Sequence, residues 1–107
     1  MKGKQSGQMA VADSKQSEGQ RNWDACLQSI AASSRKDFAE FFNHFAPLIR
    51  AFAYSGSYIS VAHADELVQE VMIKVWQKAS AFDPEKASAV TWLYAVARNC
   101  RTDLYRK

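Results

Sequence analysis

Helix-breaking residues are scarce: two prolines and four glycines among 107 residues. That scarcity favours helices over a fold built on tight turns. Cysteine is scarce as well. Cys26 and Cys100 stand far apart, with no His or Cys at metal-ligand spacing from either. The pair excludes a disulfide framework and a zinc finger. Both read as small buried or half-buried residues in a reducing compartment. The N-terminus lacks an apolar run of signal-peptide length. No stretch approaches the ~20 apolar residues needed to cross a bilayer. The reading is a cytoplasmic chain without membrane insertion. His44 and His63 have no paired Ser or Cys nucleophile, which argues against an enzyme; each reads as a surface or hydrogen-bonded helix histidine. Neither a metal nor a cofactor is expected.

What is present is ordinary for one globular domain: 48% apolar residues, 23% charged residues and a net charge of +3. The weak basic balance permits a nucleic-acid partner without requiring one. Residues 1–21 are rich in Gln, Ser, Gly and Lys and show no period, so they are expected to form a disordered tail. The domain is expected to span 22–107.

From Trp23 the pattern turns helical. Trp23, Cys26, Leu27, Ile30 and Ala31 recur at helical spacing behind a capping Asn22. Ser33 or Ser34 can start a second helix over 36–54. There Phe38, Phe41, Phe42, Phe45, Leu48, Ile49, Phe52 and Ala53 form a wide apolar stripe, and the phenylalanines are expected in the core. Pro47 should kink or loosen that helix. Gly56 breaks the chain into a turn. A third helix follows over 62–82, ended by Asp83-Pro84, and a fourth over 91–107. No run alternates with period two, so the expected fold is an all-α bundle of four helices.

The third helix carries three faces at about 100° per residue. Leu67, Val68, Val71, Met72 and Val75 form the core stripe. Lys74 and Lys78 form a basic strip on one flank. Asp65, Glu66, Gln69, Glu70, Ile73 and Trp76 occupy the other. A solvated amphipathic helix with acids early and lysines late satisfies its macrodipole. That account leaves Ile73 and Trp76, an apolar pair framed by acids, unexplained; a docking patch for a basic partner explains them. Both readings stay open on periodicity alone.

The fourth helix, "TWLYAVARNCRTDLYRK", turns Leu93, Val96, Ala97, Cys100 and Leu104 inward, with Trp92 at the edge of that arc. Arg98, Arg101, Tyr94 and Tyr105 cluster on the opposite side. Arginine offers bidentate phosphate contacts, and aromatic rings stack on unpaired bases. The face therefore suits a single strand, or it is a helix end stabilised by cations. Asp103 reads as a structural partner for a nearby arginine.

Taken together, "DELVQEVMIKVW", "AFDPEKASAVTWLYAVARN" and the Asp and Arg of "CRTDLYRK" closely resemble region 2 of bacterial sigma factors. The short spacing and "TWLYAVARN" resemble the extracytoplasmic-function, or group IV, class of the sigma-70 family. The resemblance covers about residues 36–107, and residues 22–33 fit the segment that precedes region 2 in that class. It implies an α-helical domain with two roles. One is docking on the clamp coiled coil of the RNA polymerase β′ subunit, through Asp65, Glu66, Gln69, Glu70, Ile73 and Trp76. The other is recognising and opening the minus-ten promoter element by holding its non-template strand. Lys74, Lys78, Phe82, Asn99 and the loop 83–90, with Lys86 and Ser88, would cup a flipped-out base, and Tyr94 belongs to the same face. Arg98, Arg101 and Arg106 would contact phosphates. Family members also carry a region 4 that reads the minus-thirty-five element, and this chain stops where the linker to it would begin. The stretch "FDPEKASAVTWL" resembles the subgroup controlled by zinc-binding anti-sigma factors, which implies such a partner.

Two rival readings remain. A generic helix-turn-helix domain would place one helix in a duplex major groove, but no tight turn of three or four residues joining two short helices is expected here. A helical protein-interaction module would use the Ile73/Trp76 patch on a protein alone.

Overall fold

The computed structural model describes residues 21–55 and 59–106. Among them are four α-helices: α1 (Trp23–Ala31), α2 (Arg35–Tyr54), α3 (Val61–Lys78) and α4 (Ala89–Arg106). A 3₁₀ turn (Ala79–Ala81) extends α3. No strand occurs among the described residues. The Gly56 turn, Lys107 and all of the expected tail over 1–21 except Arg21 lie outside them.

Local chemistry sets the helix ends. The Asn22 side chain accepts from the Ala25 N–H at 3.0 Å and starts α1. At the other end the Ser34 N–H reaches the Ser29 carbonyl at 3.0 Å, and the Ser33 N–H reaches Ile30 at 2.8 Å. This is a Schellman closure, and it puts Ser33 in the left-handed region at φ 72°. Ser34 then caps α2 by accepting from the Asp37 N–H at 3.1 Å. A three-residue turn therefore joins α1 to α2, but does not join two short helices. α2 is a 20-residue core helix, not the short recognition helix of a helix-turn-helix pair. It also stays one helix through Pro47. Pro47 and Asn43 are both exposed, so the carbonyl that loses its helical partner can be hydrated.

α3 packs between α2 and α4, while α1 lies against α2, α4 and the 3₁₀ turn. The core stripe read for α3 is buried throughout: Leu67, Val68, Val71, Met72 and Val75. They meet Phe41, Phe45 and Ile49 of α2, Leu93 and Ala97 of α4, and Leu27 and Ile30 of α1 in one cluster. The phenylalanine stripe proves too wide. Phe42 and Leu48, on opposite edges of the stripe, are exposed, and Phe38 and Phe52 are only half-buried, because the described helices cover the centre of the stripe more fully than its edges.

Arg21, placed in the tail by composition, is held by the fold. Its guanidinium pairs with Asp37 at 3.3 Å and with Glu40, and lies 5.0 Å from the Trp23 ring. Both cysteines are free and buried. Burial pushes the Cys26 thiol up to about 11, so it behaves as a small hydrophobe. No described helix is long and apolar enough to cross a membrane.

Candidate nucleic-acid and protein interfaces

The wet surfaces of α3 lead to two different neighbours. Toward α2 its residues open a cleft of about 640 Å³ lined by Phe38, Phe42, Met72, Ile73 and Trp76, with Arg35, Gln69 and Gln77 at the rim. Ile73 is 52% exposed and Trp76 37%. Trp76 is held in place edge-on to Phe38, ring centroids 5.3 Å apart. Phe42 reaches the same cleft, which is why it escapes the core. Sequence periodicity had found Ile73 and Trp76 but missed that Phe38 and Phe42 complete the patch. The signal was the excess width of the α2 stripe.

The acids framing this cleft are not equivalent. Asp65 pairs with Arg50 of α2, so its charge is already partnered. Glu66 is exposed on the outer side of α3. Glu70 is half-buried on the side toward α4, close enough to raise the pKa of Cys100. Of the six residues proposed to dock on a protein, Gln69, Ile73 and Trp76 converge on the cleft itself.

Toward α4, Lys74, Lys78, Val96, Asn99, Cys100 and Asp103 line a smaller cavity of about 140 Å³. Lys74, Lys78 and Asn99, picked from two helices by sequence, are thus brought together. Asp103 is there too, beside the lysines, and not paired with an arginine as expected; among the described residues it forms no ion pair. Burial pushes the Cys100 thiol up against the pull of the Lys74 ammonium. The cavity therefore offers cationic donors, an amide and a carboxylate acceptor, the mixture that reads a base edge beside a phosphate.

The loop 83–88 is built from short-range bonds. The Asp83 carboxylate accepts from the Glu85 N–H at 2.9 Å, and its carbonyl accepts from Lys86 at 3.0 Å. Lys86 is exposed on this loop. Ser88 is the cap of α4: its hydroxyl accepts from the Thr91 N–H at 3.2 Å and donates to Thr91 Oγ1 at 3.1 Å. Phe82, at 8% exposure, is in the core and edge-on to Trp92 at 5.8 Å. Its ring braces the base of the loop and does not present a stacking face. Trp92 is half-buried against the core, as read from its position on the inward arc.

The largest departure concerns the Arg/Tyr face of α4. Arg101 Nη1 donates to the Phe52 carbonyl at 3.1 Å, to the Ser55 carbonyl at 3.3 Å and to Ser55 Oγ at 3.2 Å. Its guanidinium sits 4.1 Å from the Phe52 ring centre. Tyr94 is half-buried, edge-on to Phe52 at 5.5 Å. Both therefore bind α4 to α2, a structural role that the sequence did not indicate for Arg101. The end of α2 leaves carbonyls without helical partners, and a cation there is favoured by the dipole. Arg98, Asn99, Tyr105 and Arg106 remain exposed.

Comparison with known proteins agrees with this geometry. Residues 41–107 match the family model for Sigma-70 region 2. The chain is 46% identical over 88 residues to the ECF RNA polymerase sigma factor RpoE of Cereibacter sphaeroides, a match covering 80% of this chain and 48% of that protein. It is 32% identical over 88 residues to the ECF RNA polymerase sigma factor SigK of Mycobacterium tuberculosis, covering 78% of this chain and 44% of that protein. Among solved structures, Rhodobacter sphaeroides SigE in complex with the anti-sigma ChrR is similar, with TM-score 0.69 and 44% identity over 75% of this chain and 52% of that chain. The chain spans about half the length of the curated relatives it matches.

Proposed function

This chain belongs to the sigma-70 region 2 family, and from that premise we propose that it is the polymerase-docking and promoter-opening part of an extracytoplasmic-function sigma factor. It docks on the clamp coiled coil of the RNA polymerase β′ subunit and holds non-template single-stranded DNA of the minus-ten element. The observation that carries this reading is the split of α3 between two neighbours: an apolar cleft with Phe38 and Phe42 on one side, a lysine-lined cavity with Asn99 on the other. One helix can then hold protein and DNA at once, without competition between them. Base flipping costs a few kcal/mol of unstacking, and a preformed cavity offsets part of it. The role is binding, not catalysis. Work on polymerase and promoter places the protein in the cytoplasm. The relative solved with the anti-sigma ChrR supports an anti-sigma partner for this chain as well.

The deciding experiment is a fluorescence-anisotropy titration of the chain with the isolated β′ clamp coiled coil, and with labelled single-stranded and duplex minus-ten-length DNA. Coiled-coil binding together with a single-strand preference is the expected outcome. A folded chain that binds neither the coiled coil nor DNA overturns the reading and leaves a helical protein-interaction module. A duplex preference favours a helix-turn-helix mode.

The lysine cavity makes a narrower prediction. Lys74→Ala and Lys78→Ala should each reduce the slope of log K against log salt by about 0.7 for single-stranded DNA, the counterion release of one phosphate contact. The affinity loss should be uniform across sequences. Unchanged slopes would move the phosphate contacts to Arg98 and Arg106.

A further inference from the structure

The loop 83–88 does not hold its own shape at both ends. α4 begins at Ala89, and the first N–H groups of a helix have no partner within it. Ser88 satisfies Thr91 locally. The Ala89 N–H points elsewhere. It donates to Asp24 Oδ1 at 2.7 Å, a partly buried bond spanning 65 positions of sequence. That length is typical of a bond to a charged acceptor, and a carboxylate at a helix N-terminus is favoured by the dipole. Helix caps are usually local side chains; this one is supplied by α1.

The other end of the loop also leans on α1. The 3₁₀ turn that leads into Phe82 packs against it. Cys26, Leu27 and Ile30 anchor α1 in the core at 2% exposure or less. The carboxylate is thus mounted on a rigid element, one turn from buried side chains. Asp24 and the whole of α1 lie outside residues 41–107, the part that matches the family model.

We infer that Asp24 is a positioning residue for the base-reading loop: its carboxylate fixes where the loop ends and α4 begins, and so sets the shape the loop presents to DNA. The inference rests on the promoter reading above. Asp24 touches no base. Without its carboxylate the Ala89 N–H is unpaired, the downstream end of the loop is released, and the chain still folds around α1's apolar face. A loosened loop accepts more bases, so selectivity falls more than affinity. Docking on the coiled coil, on the opposite flank of α3, is unaffected.

The test uses the whole 107-residue chain as wild type, Asp24→Ala and Asp24→Asn. Two quantities are read: hydrogen exchange at the Ala89 amide, and the ratio of affinities across labelled single-stranded 12-mers that differ by one base. Asp24→Ala should speed Ala89 exchange and shrink the affinity ratio, each by roughly fivefold, the size of a lost helix cap. Asp24→Asn keeps an acceptor oxygen and should restore most of both. A merely structural Asp24 would lower the thermal midpoint and leave the ratio alone, which overturns the inference. So does an unchanged Ala89 exchange rate, since the bond is then not made in solution. If Asp24→Ala fails to fold, Asp24→Ser, too short to reach Ala89, carries the same comparison. A wild type that does not discriminate among the 12-mers overturns the promoter reading and this inference together. A wild type that discriminates, with an Asp24→Ala ratio equal to it, overturns this inference alone.

Discussion

An Ile73→Glu chain is expected to lose at least roughly thirtyfold in affinity for the β′ clamp coiled coil, with its thermal midpoint within about 2 °C of wild type. The size follows from what the side chain does. Ile73 stands over the apolar cleft at 52% exposure, and Trp76 and Phe42 flank it. Covering the exposed half of an isoleucine contributes about 0.8–1.5 kcal/mol. Reversing that with a carboxylate removes the contribution and adds the desolvation of a charge. About 1.4 kcal/mol is a factor of ten, so thirtyfold is the low estimate. The fold should hardly notice, because half of the side chain already meets solvent. That separation makes Ile73 a better probe than Trp76, whose ring supports Phe38. Anisotropy titration measures the first quantity and calorimetry the second. Unchanged affinity in a folded variant would remove the cleft from the docking surface.

The same cleft shows where sequence periodicity stops. The buried stripe of α3 could be read directly, because neighbours cover it on two sides. Along α2 the identical signal, phenylalanine at helical spacing, meant two different things. Phe41 and Phe45 have a helix over them; Phe42 does not. Periodicity gives the direction a side chain points, not whether another element is there to meet it. The helix caps Asn22 and Ser34 were legible because their partners lie three residues away. The Asp24–Ala89 bond was not, because nothing in the chain's local pattern links positions so far apart. The site divides in the same way. Lys74 and Lys78 were legible as one strip of a helix and Asn99 only through the family resemblance, and packing of the two helices brings them to one cavity. Phe82 carried a motif position but not the exposure that its assumed role needed. In each case the residue type was right for two environments, and only the tertiary neighbours distinguished them.

Arg101→Ala brings that distinction to a measurement. The expected result is a loss of about 2–3 kcal/mol of stability, the sum of a charged hydrogen bond and a cation–π contact. For a domain of this size each kcal/mol moves the midpoint by about 4–8 °C, so a fall of roughly 10–20 °C is expected. The loss arises because the Phe52 and Ser55 carbonyls at the end of α2 give up their donor, and the Phe52 ring gives up the cation over it. Arg101→Lys should recover only part of the loss. An ammonium keeps the charge at the helix end but neither stacks flat nor reaches the same acceptors together. Salt dependence separates this role from a phosphate contact. Measured where both proteins are folded, the slope of log K against log salt should be the same for Arg101→Ala and wild type. A reduced slope with an unchanged midpoint would return Arg101 to the DNA face. The expected pattern instead leaves the phosphates to Lys74, Lys78, Arg98 and Arg106, and makes Arg101 the bond by which α2 holds α4 in register with the lysines of α3.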